Sequence, residues 1–176
     1  MREENKSDWT PPSVEELAKL LKSGSEGIEK YHAMRKEHPN WKPDLSYQDF
    51  SGLDLSEANF SKVILFKADL SRANLTGVDL FEADLCEAKL LKADLSGADL
   101  GLTKLLKVNF CWAKFCGADL SRANLSGSNL SGADFSRAKT HGVNWWCAII
   151  TGVKGIRRDD AKICFATHMA SIEFAD

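Results

Sequence analysis

The chain has 176 residues, a mass of 19.5 kDa, a formal net charge of −2 and a pI of about 6.1. That is length enough for one domain with a filled core, and the charge excludes binding to nucleic-acid phosphates through bulk positive potential. No apolar run approaches a membrane span and the opening MREENKSDWT is too polar for a signal peptide, so the five cysteines (86, 111, 116, 147, 164) are expected as thiols of a cytoplasmic protein.

The N-terminal segment, residues 1–42, predicts two short helices. Ser13-Val14-Glu15-Glu16 is a capping box behind Pro11 and Pro12, and Val14, Leu17, Ala18 and Leu21 form one apolar stripe, giving a helix over about 14–22 that ends at Ser23-Gly24. A second helix is expected over about 26–37. It must stop before His38-Pro39, because the residue preceding a proline is pushed out of helical geometry.

From Leu45 to Ile150 every fifth residue is Leu, Phe, Trp or Ile, with Thr140 as the single exception. A second register, two residues earlier, is Ala or Val from Ala58 to Val153 except at Thr103 and Ser128. A helix cannot use this period, since steps of five at 100° per residue scatter the leucines around the cylinder. On an extended chain, residues two apart share a side, so Ala68 and Leu70 point inward and Asp69 outward. Bringing Ala73 and Leu75 back inside requires one turn per five residues. The glycine or polar residue two after each leucine suits that turn. A chain that turns repeatedly the same way coils around its own apolar axis.

The A(D/N)LxX pattern in KADLSRANL, FEADL, KADLSGADL, CGADLSRANL and SGADF resembles the pentapeptide-repeat family, over residues 43–155. The resemblance implies a mainly β fold, a right-handed quadrilateral β-helix with four pentapeptides per coil. Twenty residues per coil would give about five and a half coils and a column roughly 25 Å tall. Trp145, Trp146, Ile149 and Ile150 are expected to enlarge the last coil. Residues 156–176, IRRDDAKICFATHMASIEFAD, abandon the period and are expected as a C-terminal cap, helical from Asp159 to Met169, with Ile163, Phe165 and Ala166 sealing the coil below.

With 20 residues per coil the outward positions fall into vertical columns. Ser46, Phe66, Cys86, Leu106, Ser126 and Trp146 make one, and Ser51, Ser71, Leu91, Cys111, Ser131 and Thr151 the next around the corner. Most repeats have Ser here, so Phe66, Cys86, Leu91, Leu106 and Cys111, with Ile64 and Trp112 close by, are departures that mark an apolar protein-contact edge. Either the helical ends fold over this edge, or a protein partner or second copy does. Phe81 and Leu102 are isolated departures elsewhere. The column Tyr47, Lys67, Glu87, Lys107 reads as stacked alternating charge. Asn59, Asp79, Asp99 and Asp119 form an acidic strip broken by Lys139.

Catalysis is not expected. Outward carboxylates such as Asp84 and Asp94 recur with the repeat, and no glycine-rich phosphate loop opens a helix. Cys164 and His168, with His141 or Cys147, have poor spacing for zinc. Cys111 and Cys116 hold equivalent positions on adjacent sides, beyond disulfide reach. No cofactor, metal, small-molecule substrate, membrane or direct nucleic-acid contact is expected. The resemblance offers two roles: a non-catalytic scaffold that binds another protein or itself, or a DNA-mimicking protein that binds and protects DNA gyrase. The second needs a long acidic face. Residues 45–155 instead carry twelve acidic and twelve basic side chains, so the scaffold reading leads.

Overall fold

The computed structural model describes residues 9–56 and 58–157, together with the backbone of 173 and 174. Two helices open the described chain, α1 (Val14–Lys22) and α2 (Ser25–Glu37). Ser13 caps α1 by accepting the Glu16 N–H, and the Glu16 carboxylate accepts the Ser13 N–H in return, the capping box. The second helix starts one residue earlier than its periodicity suggests, with Gly24 as N-cap at φ 85. That region of φ is open to glycine at little steric cost.

From Asp44 onward the backbone pairs in parallel with itself 20 residues later. The bridges Asp44↔Ile64, Asp49↔Asp69, Asp54↔Asn74 and Asn59↔Asp79 begin four series that run up to Asp134↔Lys154. Four bridges per 20 residues make a four-sided coil. Side one is centred on residue 44 and its successors at intervals of 20, side two on 49, side three on 54 and side four on 59. Coil-to-coil bonds join the sides, as in Leu70 N–H to Lys89 C=O at 2.8 Å and Asp69 N–H to Gln48 C=O at 2.9 Å.

Among the described residues the corners are turns, most of them closed by a bond such as Ala73 N–H to Leu70 C=O, 3.1 Å. The third residue of the turn has positive φ, whether Gly (Gly77, 67°) or not (Arg72, 60°; Trp112, 60°), as type II turns require. The outward residue at the middle of each side explains itself here. Where it is Asp or Asn, its Oδ1 accepts the N–H that starts the corner, as Asp69 does from Ser71 at 3.0 Å and Asn129 from Ser131 at 3.1 Å. The preference for Asp and Asn at this place is thus a local backbone requirement.

Inside, Leu70, Leu75, Leu80 and Leu85 are fully buried, with Ala73, Val78 and Ala83 between them. The core becomes aromatic higher up: Phe110 meets Phe115 edge-on at 5.0 Å, Phe115 stacks on Phe135 at 4.5 Å, and Phe135 meets Trp145 at 5.5 Å. The polar exceptions are satisfied internally. Thr103 Oγ1 donates to Leu80 C=O at 2.8 Å, and the Ser128 hydroxyl donates to Leu105 C=O while accepting the Val108 N–H.

The helix pair closes the lower end. Leu17, Ala18, Leu21 and Tyr31 join the same core as Leu45, Phe50, Leu55 and Phe60. The first coil has no coil beneath it to accept its N–H groups, and α2 supplies a substitute: His32 Nε2 accepts the Asn59 N–H at 3.0 Å. Arg35 ties the end together, its Nη1 donating to Trp41 C=O and its Nη2 to Ser61 C=O, both at 2.6 Å. At the upper end β1 (Lys154–Ile156) pairs in parallel with β2 (Glu173–Phe174). The expected helix from Asp159 to Met169 lies outside the described residues. Among the described residues, no helix is long and apolar enough to cross a membrane.

Candidate protein-contact face

Side two and the two corners that flank it gather the residues singled out by the columns. Phe66, Cys86 and Leu106 stand one above another at the first corner, and Leu91 and Cys111 at the second; all five are half-buried. Ile64 is also half-buried and sits apart from them at the middle of side one, between Asp44 and Asp84. The helices α1 and α2 lie beneath the first coil, as their contacts to Phe50, Asn59 and Ser61 show.

Among the described residues the four most exposed large apolar side chains lie on this side, Tyr47 at 68 %, Trp112 at 64 %, Trp146 at 59 % and Ile149 at 49 %, while Leu102 at 42 % stands on the corner between sides four and one and Trp9 at 37 % beside the helices. This corrects the expectation that Trp146 and Ile149 enlarge the last coil: Trp145 and Ile150 turn inward, while Trp146 takes a corner and Ile149 the middle of side two. Tyr47 packs edge-on against Phe66 at 5.6 Å, with the Lys67 ammonium 5.0 Å from the Phe66 ring. Trp112 lies across the glycine one coil above; a Cβ on Gly132 would be 2.5 Å from its ring. Phe81, on another corner, lies across Gly101 in the same way.

Charge on the column is mostly self-neutralised between successive coils. Lys104 meets Asp84 on side one at 3.2 Å, Lys89 meets Asp69 on side two at 3.4 Å, Lys114 meets Asp94 on side three at 3.0 Å, and Lys139 meets Asp119 on side four at 3.1 Å. Lys67 pairs with Glu87 at 3.3 Å, whereas Lys107 makes no ion pair among the described residues, so the alternating column stops at Glu87. Burial works against the Asp84 carboxylate, yet hydrogen bonds from Cys86 and Lys104 hold it below the usual carboxylate range. The Cys86 thiol is pushed up to about 11, first by burial and then by Asp84, so it stays protonated and unreactive at neutral pH.

The acidic strip is short and turned to structural use. Asp79 accepts the Phe81 N–H at 3.0 Å, Asp99 the Gly101 N–H and Asp119 the Ser121 N–H, each at 2.9 Å, and the strip ends on the Lys139 ammonium. A cleft of about 530 Å³ opens beside it between α2 and side four, lined by His32, Arg35, Lys36, Pro39, Asn59, Ser61 and Asp79. His32 and Arg35 there are already bound to the backbone of the lower coils. Among the described residues no group of three or more His, Cys, Asp or Glu side chains is placed to hold a metal ion. Cys164 and His168 lie outside the described residues.

A family model for pentapeptide repeats matches the chain in eight copies, over residues 44–80, 64–101, 79–115 and 103–139. Among solved structures, a pentapeptide repeat protein from the cyanobacterium Cyanothece 51142 is 25% identical with a TM-score of 0.61, covering 69% of this chain and 95% of that one. A pentapeptide repeat protein from the Arabidopsis thaliana thylakoid lumen is 28% identical with a TM-score of 0.33, over 77% of this chain and 86% of that one. QnrB1, a plasmid-mediated fluoroquinolone resistance protein, is 18% identical with a TM-score of 0.34, over 78% and 79%. No curated relative matches the chain.

Proposed function

The chain belongs to the pentapeptide-repeat family, and from that premise we propose that it is a non-catalytic, cytoplasmic scaffold, a right-handed four-sided column that binds another protein through side two. The observation that carries this reading is the placing of exposed Trp112, Trp146 and Ile149 on one side of a column whose axis is filled by Leu and Phe. A filled axis offers no cavity for a substrate. A flat wall of regularly spaced side chains suits a macromolecular surface, and exposed aromatic clusters mark such contacts.

The DNA-mimicking alternative would use Asp79, Asp99 and Asp119 against a basic partner such as DNA gyrase. It is weakened by the Lys139 that closes the strip and by the balance of charge along the column.

The test is affinity capture from a bacterial extract on three immobilised forms: the parent, Trp112→Asn with Trp146→Ser, and Asp79→Asn with Asp99→Asn. Asn tolerates the positive φ of position 112, and Ser is the usual residue at the corner of Trp146. A protein held stoichiometrically by the parent and the Asp variant, and lost from the Trp variant, is the expected result. Loss from the Asp variant alone would transfer the function to side four. Equal retention on all three would remove side two from consideration.

A further inference from the structure

Apart from Lys107, at the corner of the fourth coil, the upper half of side two has no charge. At the fourth coil the stretch 108–112 reads VNFCW; at the fifth, 126–132 reads SGSNLSG; at the sixth, 146–152 reads WCAIITG. The other three sides carry ion pairs at comparable heights, Lys104 on Asp84, Lys114 on Asp94 and Lys139 on Asp119. Within this uncharged field the fifth coil is a floor of small side chains. Trp112 is laid flat against Gly132 below one edge, and Trp146 and Ile149 stand above.

The lower end of the field has a charged border. Beneath Trp112 in the same corner column stand Lys92 and Arg72, and at the opposite corner stands Lys107. None of the three makes an ion pair among the described residues. Carboxylates on neighbouring positions are engaged with other lysines, Asp69 with Lys89 at 3.4 Å, Glu87 with Lys67 at 3.3 Å and Asp94 with Lys114 at 3.0 Å. An aromatic shelf thus continues into a set of uncompensated cations.

We infer that this surface takes an acidic peptide segment of a protein partner, with two large apolar side chains on the Trp112–Trp146 shelf and carboxylates over Arg72, Lys92 and Lys107. The reasoning extends the protein-binding reading above and rests on it. Size favours a segment over a second copy of the chain. Three coils at ~4.8 Å and seven residues at ~3.3 Å bound the uncharged field at roughly 300 Å², while a stable dimer needs about 800 Å² from each partner. Trp112 and Trp146 stand on opposite corners of side two and nearly two coils apart in height, so a segment that reaches both runs diagonally across the face. Charge selects the sign of the partner: a basic segment would meet three like charges, and an acidic one gains both attraction and faster encounter.

The experiment selects a displayed library of random 16-residue peptides on the full chain, then measures enriched peptides by fluorescence anisotropy at 50 and 300 mM salt. The expected peptides are acidic with two large apolar residues. They bind at least 10-fold more weakly to Trp112→Asn with Trp146→Ser, at least 10-fold more weakly to Lys92→Glu with Lys107→Glu, and weaken with salt. All changed residues are exposed, and thermal melts within a few degrees of the parent show that the variants fold. Neutral or basic peptides that still depend on Trp112 and Trp146 would overturn the acidic partner and leave the protein-contact reading standing. No enrichment, or peptides indifferent to the Trp variant, would overturn both. A dimer seen by light scattering and abolished by the Trp variant would assign the surface to self-association and overturn the peptide partner.

Discussion

The lower and upper halves of the column follow one five-residue rule and are finished differently. Below, the axis is leucine over a base of Phe50 and Phe60, and side two is charged, with Asp49, Asp69, Lys67, Glu87 and Lys89. Above, the axis holds Phe110, Phe115, Phe135 and Trp145, and side two carries Trp112, Asn129, Trp146 and Ile149, with Lys107 as its one charge. The backbone pairs identically in both halves. Apart from the exchange of Leu for Phe and Trp on the axis, what differs lies at positions the rule leaves open, the corners and the middle of each side. Stability is therefore written at period five, and the proposed contact face at period 20.

That division predicts a ranking of effects. Leu85→Asp puts a carboxylate on the axis and should cost on the order of 5 kcal/mol, enough to abolish a cooperative thermal transition. Asp84→Asn, one residue away, keeps the acceptor for the Cys86 N–H and loses only the exposed Lys104 pair, so it should cost under ~1 kcal/mol. Equal effects would dissolve the inward and outward assignment.

Acid should come next. The Ser121 side chain, against an opposing effect of burial and helped by the Ser121 N–H and Lys139, holds the Asp119 carboxyl low; Ser136 does the same for Asp134. A carboxyl depressed in the folded state contributes stability above its unfolded pKa and loses it as pH falls through the folded value. Urea midpoints should be level from about pH 8 to 5 and fall below about pH 4. A decline already complete at pH 5 would contradict this origin.

Arg35→Ala removes the tie between α2, Trp41 and Ser61 and should cost about 2 kcal/mol, seen as early proteolysis of the N-terminal helices with the coils intact. Smaller still is Gly132→Ala, which combines a positive φ of 71° with a collision against Trp112. It should cost about 1 kcal/mol and shift tryptophan emission as the ring swings out. Trp112→Asn in the same chain should remove the collision and leave only the backbone cost.

Much of this was legible because the repeat is long and its buried residues are local in pattern. The inward leucines and alanines follow from residues two apart on an extended chain, and the Ser13–Glu16 capping box from four adjacent residues. The outward aspartates were harder: their recurrence with the repeat shows in the sequence, but not that each accepts an N–H two residues on while several also meet a lysine one coil above. Trp146 and Ile149 misled because apolarity implied burial, although their places in the period, one after and one before an inward residue, already pointed outward. The pairs Trp112 with Gly132 and Phe81 with Gly101 are visible only when the sequence is wrapped at 20. His32 and Arg35 gave no local sign of their contacts to Asn59 and Ser61, which are 27 and 26 residues away.

The central claim, that side two above the third coil is the contact face, is tested most directly by hydroxyl-radical footprinting of the chain alone and with its captured protein bound. The account predicts that oxidation of Trp112, Trp146 and Ile149 drops on binding, while Leu102 and Phe81 react unchanged. Protection around Phe81 and the Asp79 strip, with Trp112 and Trp146 as reactive as before, would contradict it.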